Sequence, residues 1–105
     1  MRKSIIAYLL PSLSLIACGK NLSINEFEKI GFLKETQPFF QVIGATDGWK
    51  GKFNNSNVEI YIYENKSQIP LNQLKNLPRS GIVCIVENVA IFDHGNGDFC
   101  NEATL

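Results

Sequence analysis

The chain predicts a single small α+β domain, with a mainly antiparallel sheet and two helices in the order α-β-β-β-α-β-β. Three observations carry this. Residues 49–63 contain two stretches that alternate apolar and polar, separated by Asn54-Asn55-Ser56-Asn57; this is the pattern of a hairpin with one buried face. Residues 82–92 contain two Val- and Ile-rich runs on either side of Glu87-Asn88, a second hairpin. Each strand group follows a short amphipathic segment that opens on a serine, Ser23 or Ser67, and serine is a favoured helix N-cap.

Ser23-Ile24-Asn25-Glu26 fits a capping box, and Leu22 and Phe27 stand where a hydrophobic staple would. A helix starts at Ile24, with Ile24, Phe27 and Ile30 inward. It ends at Gly31 or frays toward Thr36, before Pro38. Residues 39–44 are aromatic and β-branched and read as a strand, and Ala45-Thr46-Asp47-Gly48 reads as a turn. In the first hairpin, a four-residue loop pairs Phe53 with Val58, Gly51 with Ile60 and Trp49 with Ile62, and sets Lys52 opposite Glu59. The apolar set and the charge pair agree on that register. Trp49 then belongs to the core. Glu59, Tyr61 and Tyr63 fall on the outer face, where exposed tyrosines suit a protein interface.

Ser67 caps a second helix with Pro70 in its first turn; Leu71, Leu74 and Leu77 mark its buried edge, and Pro78 ends it. Residues 82–86 are apolar on both faces, which predicts a central strand. Glu87-Asn88 turns into residues 89–92, and Asp98 caps a short last helix toward Ala103.

The N-terminus carries a different message. Arg2 and Lys3 precede residues 5–17, which bear no charge and are dominated by Leu, Ile and Ala. That run has the length of a signal-peptide core and falls short of the roughly 20 apolar residues of a membrane span. Leu15-Ile16-Ala17-Cys18-Gly19 resembles the lipobox of bacterial lipoproteins. The resemblance implies cleavage before Cys18, diacylglycerol on its thiol, and usually a further acyl chain such as palmitate on the new amine. An ordinary secretory signal cut after Ala17 is the competing reading. Two or three acyl chains, at about 0.8 kcal/mol per buried methylene, hold a protein stably on a bilayer. Gly19 in place of Asp resembles the sorting pattern of outer-membrane lipoproteins.

Three regions follow: a cleaved signal peptide at 1–17, a lipidated N-terminus and very short tether at 18–22, and the domain at 23–105. The mature part holds 88 of the 105 residues, enough for one modest core. Its 8 basic and 10 acidic residues leave a net charge of −2, so nothing favours nucleic acid or an anionic surface. With Cys18 acylated, Cys84 and Cys100 are an even pair in an exported protein, and a disulfide is the default.

Chemistry is sparse. Asp93, Asn96 and Asp98, with Gly95 and Gly97, bring a calcium loop to mind, but their spacing does not match an EF-hand. One His beside one Asp is a weak zinc signal. Cys100 with His94 could be a nucleophile and base only if the thiol stayed reduced. No Ser-His-Asp set and no phosphate loop is present, and neither an enzyme nor a cofactor is expected. The expectation is an envelope lipoprotein, on the periplasmic side of the outer membrane, that binds another envelope protein beside the bilayer as an accessory subunit or an exclusion or inhibitor protein. The alternative is a small-ligand or metal-binding module that uses residues 93–98.

Overall fold

The computed structural model describes residues 21–75 and 81–104. They form α1 (Ile24–Lys29), β1 (Leu33–Thr36), β2 (Asp47–Phe53), β3 (Ser56–Ile62), α2 (Leu71–Lys75), β4 (Ile82–Val86), β5 (Val89–Asp93) and α3 (Asp98–Ala103). Two short 3-10 helices, Phe40–Ile43 and Lys66–Gln68, sit between β1 and β2 and between β3 and α2. The five strands make one antiparallel sheet in the order β1-β2-β3-β5-β4. The α+β class and the disulfide between Cys84 on β4 and Cys100 on α3, with Cα atoms 6.1 Å apart, are as expected.

The sheet is covered on both faces. On the first, Ile24 and Phe27 of α1, Phe32, and Phe99 and Cys100 of α3 pack onto Phe53, Val58, Ile60, Val89 and Ile91. Phe99 is central, with the rings of Phe27, Phe32 and Phe53 between 4.9 and 6.2 Å away. Trp49 packs against this core. On the second face, Tyr61, Tyr63, Ala90 and Phe92 lie under Ala45, Ile69 and Leu74, with Phe40 and Ile43 beside them.

α1 starts as its capping box dictates, with the Ser23 amide donating to Glu26 Oε1 at 2.7 Å, and Gly31 follows it at φ 113°. β1 was not expected. All four of its residues are exposed; main-chain pairing with β2 holds it, so it has no apolar period to read.

Residues 39–44 are not a strand. Phe40–Ile43 form a 3-10 helix that Gly44 ends in the left-handed region. Phe40 and Ile43 face the sheet and Phe39 and Val42 face outward, the period of three of a 3-10 turn.

The first hairpin is tighter than expected. Phe53 pairs with Ser56 and Lys50 with Glu59, around a two-residue loop in which Asn54 and Asn55 take φ 48° and 70°. Two successive left-handed residues match the twist of the strands. The slip is two residues, so every side chain keeps its expected face.

The second hairpin turns at Glu87-Asn88 as expected, but β4 is an edge strand and β5 is the inner one, between β3 and β4. The second helical segment breaks at Pro70. Ile69 is extended, as a residue before proline must be, and α2 starts only at Leu71. Leu74 is buried and Leu71 is 46 % exposed. Leu77 and Pro78 lie outside the described residues.

Gly51 shows how tightly β1 is laid on. A methyl group there would collide with the Leu33 carbonyl oxygen and would stand 2.8 Å from Phe32 Cζ. Replacing Gly51 with Ala should cost about 1–3 kcal/mol in urea unfolding, as overpacking does. Lys50→Ala, on the same strand and exposed, should change stability by no more than about 0.5 kcal/mol.

Candidate functional site

The residues that bear on function sort to three places: the end of the sheet where the chain enters, the second face, and the two sheet edges. Asn88 builds the first. Its Oδ1 accepts from the Leu22 amide at 2.7 Å, and its Nδ2 donates to the carbonyls of Leu22 at 3.1 Å and Tyr63 at 2.8 Å. Asn21 adds a bond from its amide to the Glu64 carbonyl. Asn88 is 2 % exposed, so its polar atoms must be satisfied by protein. The start of the domain is thereby clamped to the end of β3 and the β4–β5 turn. Cys18 precedes Asn21 by three residues and lies outside the described residues.

The second face corrects an expectation. Glu59, Tyr61 and Tyr63 are 9, 4 and 1 % exposed, so they do not form an open partner-binding face. The 3-10 helix Phe40–Ile43, Ile69 and Leu74 close over the tyrosines. A signal for this cover was available: residues 89–92 of β5 are apolar on both faces, so something had to bury the second. Tyr61 donates to Glu59 Oε1 at 2.5 Å, and Glu59 Oε2 lies 2.6 Å from His94 Nε2. One carboxylate is shared by a phenol and an imidazole within the fold. Tyr63 donates to the Ile43 carbonyl at 3.0 Å and pins the 3-10 helix. Burial pushes its phenol from 10.0 up to about 12, because the phenolate is poorly solvated there.

Residues 93–98 are engaged in folding. Asp93 is 1 % exposed. Its Oδ1 accepts from the Gly95 amide at 2.9 Å, and its Oδ2 accepts from the Phe99 and Cys100 amides at 3.0 and 3.3 Å. Asp93, not Asp98, caps α3; Asn96 Oδ1 accepts from the Asp98 amide at 3.1 Å. The capping carboxylate sits five residues before the helix, outside the local pattern that sequence reading uses. Among the described residues no three His, Cys, Asp or Glu side chains converge as metal ligands. Cys100 is bonded to Cys84, while the His94 ring lies on Glu59.

The two edges differ. β1 carries Lys34 and Glu35, with a register shift between Lys34 and Thr36. Charges and bulges are devices that keep other strands from pairing with an edge. β4 reads Ile-Val-Cys-Ile-Val and has none of these. Ile82 and Val83 are 44 and 37 % exposed. The Tyr63 amide bonds to Asn88 O and the His94 amide to Asn57 O, so Ala90 and Phe92, in phase with them, turn their main-chain groups to β3. Val89, Ile91 and Asp93 therefore bond to β4 through Val86, Cys84 and Ile82. The amides and carbonyls of Val83 and Ile85 point outward. Among the described residues no strand pairs with them, and no helix is long and apolar enough to cross a membrane.

Comparison with protein-family models, curated proteins and solved structures finds no match to this chain.

The raised Tyr63 phenol favours the folded state only while the unfolded chain also stays protonated. Its stabilising contribution is whole below pH 10 and is lost as pH rises from 10 toward 12, on the order of 2 kcal/mol in all. Tyr63→Phe should cost about 1 kcal/mol at neutral pH and flatten that alkaline decline in denaturant midpoints. Asp93→Ala leaves amides at the start of α3 without an acceptor and should cost about 2–4 kcal/mol, with Asp93→Asn in between. Calcium should leave the wild-type melting midpoint unmoved.

Proposed function

We propose that the mature chain is an envelope lipoprotein, anchored through acylated Cys18, that acts by binding an envelope protein next to the bilayer as an accessory subunit or an exclusion or inhibitor protein. The N-terminal pattern supports the anchor, and Gly19 favours the periplasmic side of the outer membrane. What carries the interaction reading is the outer edge of β4. It is uncharged, it lacks proline, and it presents the main-chain groups of Val83 and Ile85 beside exposed Ile82 and Val83. An extended segment of the partner can add to such an edge, with main-chain bonds giving affinity and alternate side chains giving selectivity.

The test separates the edge from the fold. The Val83 amide points away from β5, so Val83→Pro removes a donor that the β4–β5 ladder does not use. A photo-reactive residue at Ile85 should give one dominant envelope-protein adduct in living cells, whereas one at Lys34 on the charged edge should give none. Val83→Pro should lower the adduct at position 85 by about tenfold or more and leave a cooperative melt. Equal labelling at both edges, or an adduct that survives the proline, would sink the reading.

A further inference from the structure

The end of the sheet that holds the tether also carries the most exposed large apolar side chains among the described residues. β1 and β3 both run toward that end, since Thr36 pairs at Lys50 and Ile62 pairs at Asp47. The 3-10 helix Phe40–Ile43 therefore sits there, with Tyr63 bonded to the Ile43 carbonyl and Ala45 in the second-face core. The same Tyr63 shares Asn88 with Leu22. Phe39 and Val42 flank the inward-facing Phe40 and Ile43 and are 86 and 82 % exposed.

Phe40 is received by Gly48, where a Cβ would stand 2.7 Å from Phe40 Cβ and 3.0 Å from Tyr61 Cδ1. With Phe40 and Ile43 inward, the period of three turns residues 39 and 42 outward. The fixed backbone then holds an aromatic and a β-branched side chain in solvent at the tether end.

The tether says what covers them. From Cys18 to Asn21 is three residues, at most about 11 Å of extended chain. Asn21 is bonded to Glu64 and Leu22 to Asn88, so the chain is spent at this end of the sheet. On the reading that Cys18 is acylated, this end cannot stand far from the headgroups, and the bilayer is the one surface always within reach. We infer that Phe39 and Val42 insert into the lipid interface beside the acyl chains, so that the domain is held with β3, β4 and β5 upright on the membrane. Shallow burial of apolar side chains at the headgroup boundary is the mode of interfacial attachment, and here it fixes orientation while the acyl chains supply attachment.

The experiment uses the full-length protein processed in an exporting bacterial host and reconstituted into phosphatidylethanolamine–phosphatidylglycerol vesicles with brominated acyl chains. Trp49→Phe removes the native indole. Phe39→Trp or Val42→Trp then reports at the tether end. Asn57→Trp, exposed on β3 at the hairpin end and about 17 Å away along the strand, reports far from it. Emission at positions 39 and 42 should fall by about half or more in brominated lipid and that at 57 should hardly change. Intact mass of the same samples reads acylation of Cys18. Acylated protein with no quenching at 39 or 42 overturns the inference and leaves the anchor standing. Unacylated protein overturns the anchor and this inference together. An adduct from a photo-reactive residue at 39 to a membrane protein in cells, with no quenching in vesicles, assigns the patch to a protein partner and overturns the lipid assignment.

Discussion

The constraint that shapes this domain is a sheet whose two central strands, β3 and β5, must be buried on both faces. Val58, Ile60, Val89 and Ile91 are sealed on one side, and Tyr61, Ala90 and Phe92 on the other. Among the described residues the cover comes from pieces of six residues or fewer. Helices that short do not hold themselves together in water. Several are fixed instead by a polar group reaching a main-chain end: Glu26 to the start of α1, Tyr63 to the first 3-10 helix and Asp93 to α3. Side-chain to main-chain bonds do the positioning that helix length does in larger proteins. The disulfide closes a loop of 16 residues between α3 and the sheet edge, with a stabilisation of about 3 kcal/mol in the chain-entropy model.

What could be read from the sequence follows from that arrangement. The capping box at Ser23, the two hairpins and the Cys84–Cys100 pair depend on local pattern or simple counting, and the structure has them. The elements misread are those whose conformation is set from a distance. β1 is four exposed residues held by main-chain bonds to β2, and nothing in Leu-Lys-Glu-Thr asks for a strand. Residues 39–44 have strand composition, but the chain is crossing from the edge onto the second face, and Gly48 offers a seat that only a compact turn fills. Residues 82–86 are apolar enough for an inner strand, yet they form the edge and the following strand lies inside them. Alternation within one strand reports burial only on the side it favours, so the sequence leaves the Tyr61 and Tyr63 face open; its cover comes from residues 40, 43, 69 and 74, outside the strand.

The contrast between the edges is chemical. β1 has Lys34 over the Trp49 ring at 4.4 Å and 3.7 Å from Glu28. An exposed ion pair of that kind adds little stability, but it places charge and bulk along the edge and discourages a second strand. β4 bears no such device and is fixed by the disulfide at its middle residue, Cys84. A rigid, uncharged edge is a template, and a small protein that keeps one is either prone to aggregate or meant to be paired. The proposed binding role takes the second alternative.

The tether and the edge bear on each other. β4 runs from Ile82 to Val86 and ends at the Glu87-Asn88 turn, the same turn whose Asn88 grips Leu22. On the proposed anchoring through Cys18, β4 would stand up from the bilayer, with its outward main-chain groups facing sideways along the membrane plane. A segment that rises from a membrane protein would run parallel to β4, as pairing with its edge requires. Five residues of edge offer few hydrogen bonds, and free in solution such a contact would be weak. Confining both partners to one surface at a fixed height replaces a three-dimensional search with a local one, which raises effective concentration as a short linker does. On that proposal, a short tether, an oriented domain and a short bare edge would be parts of one arrangement, in which orientation supplies what contact area cannot.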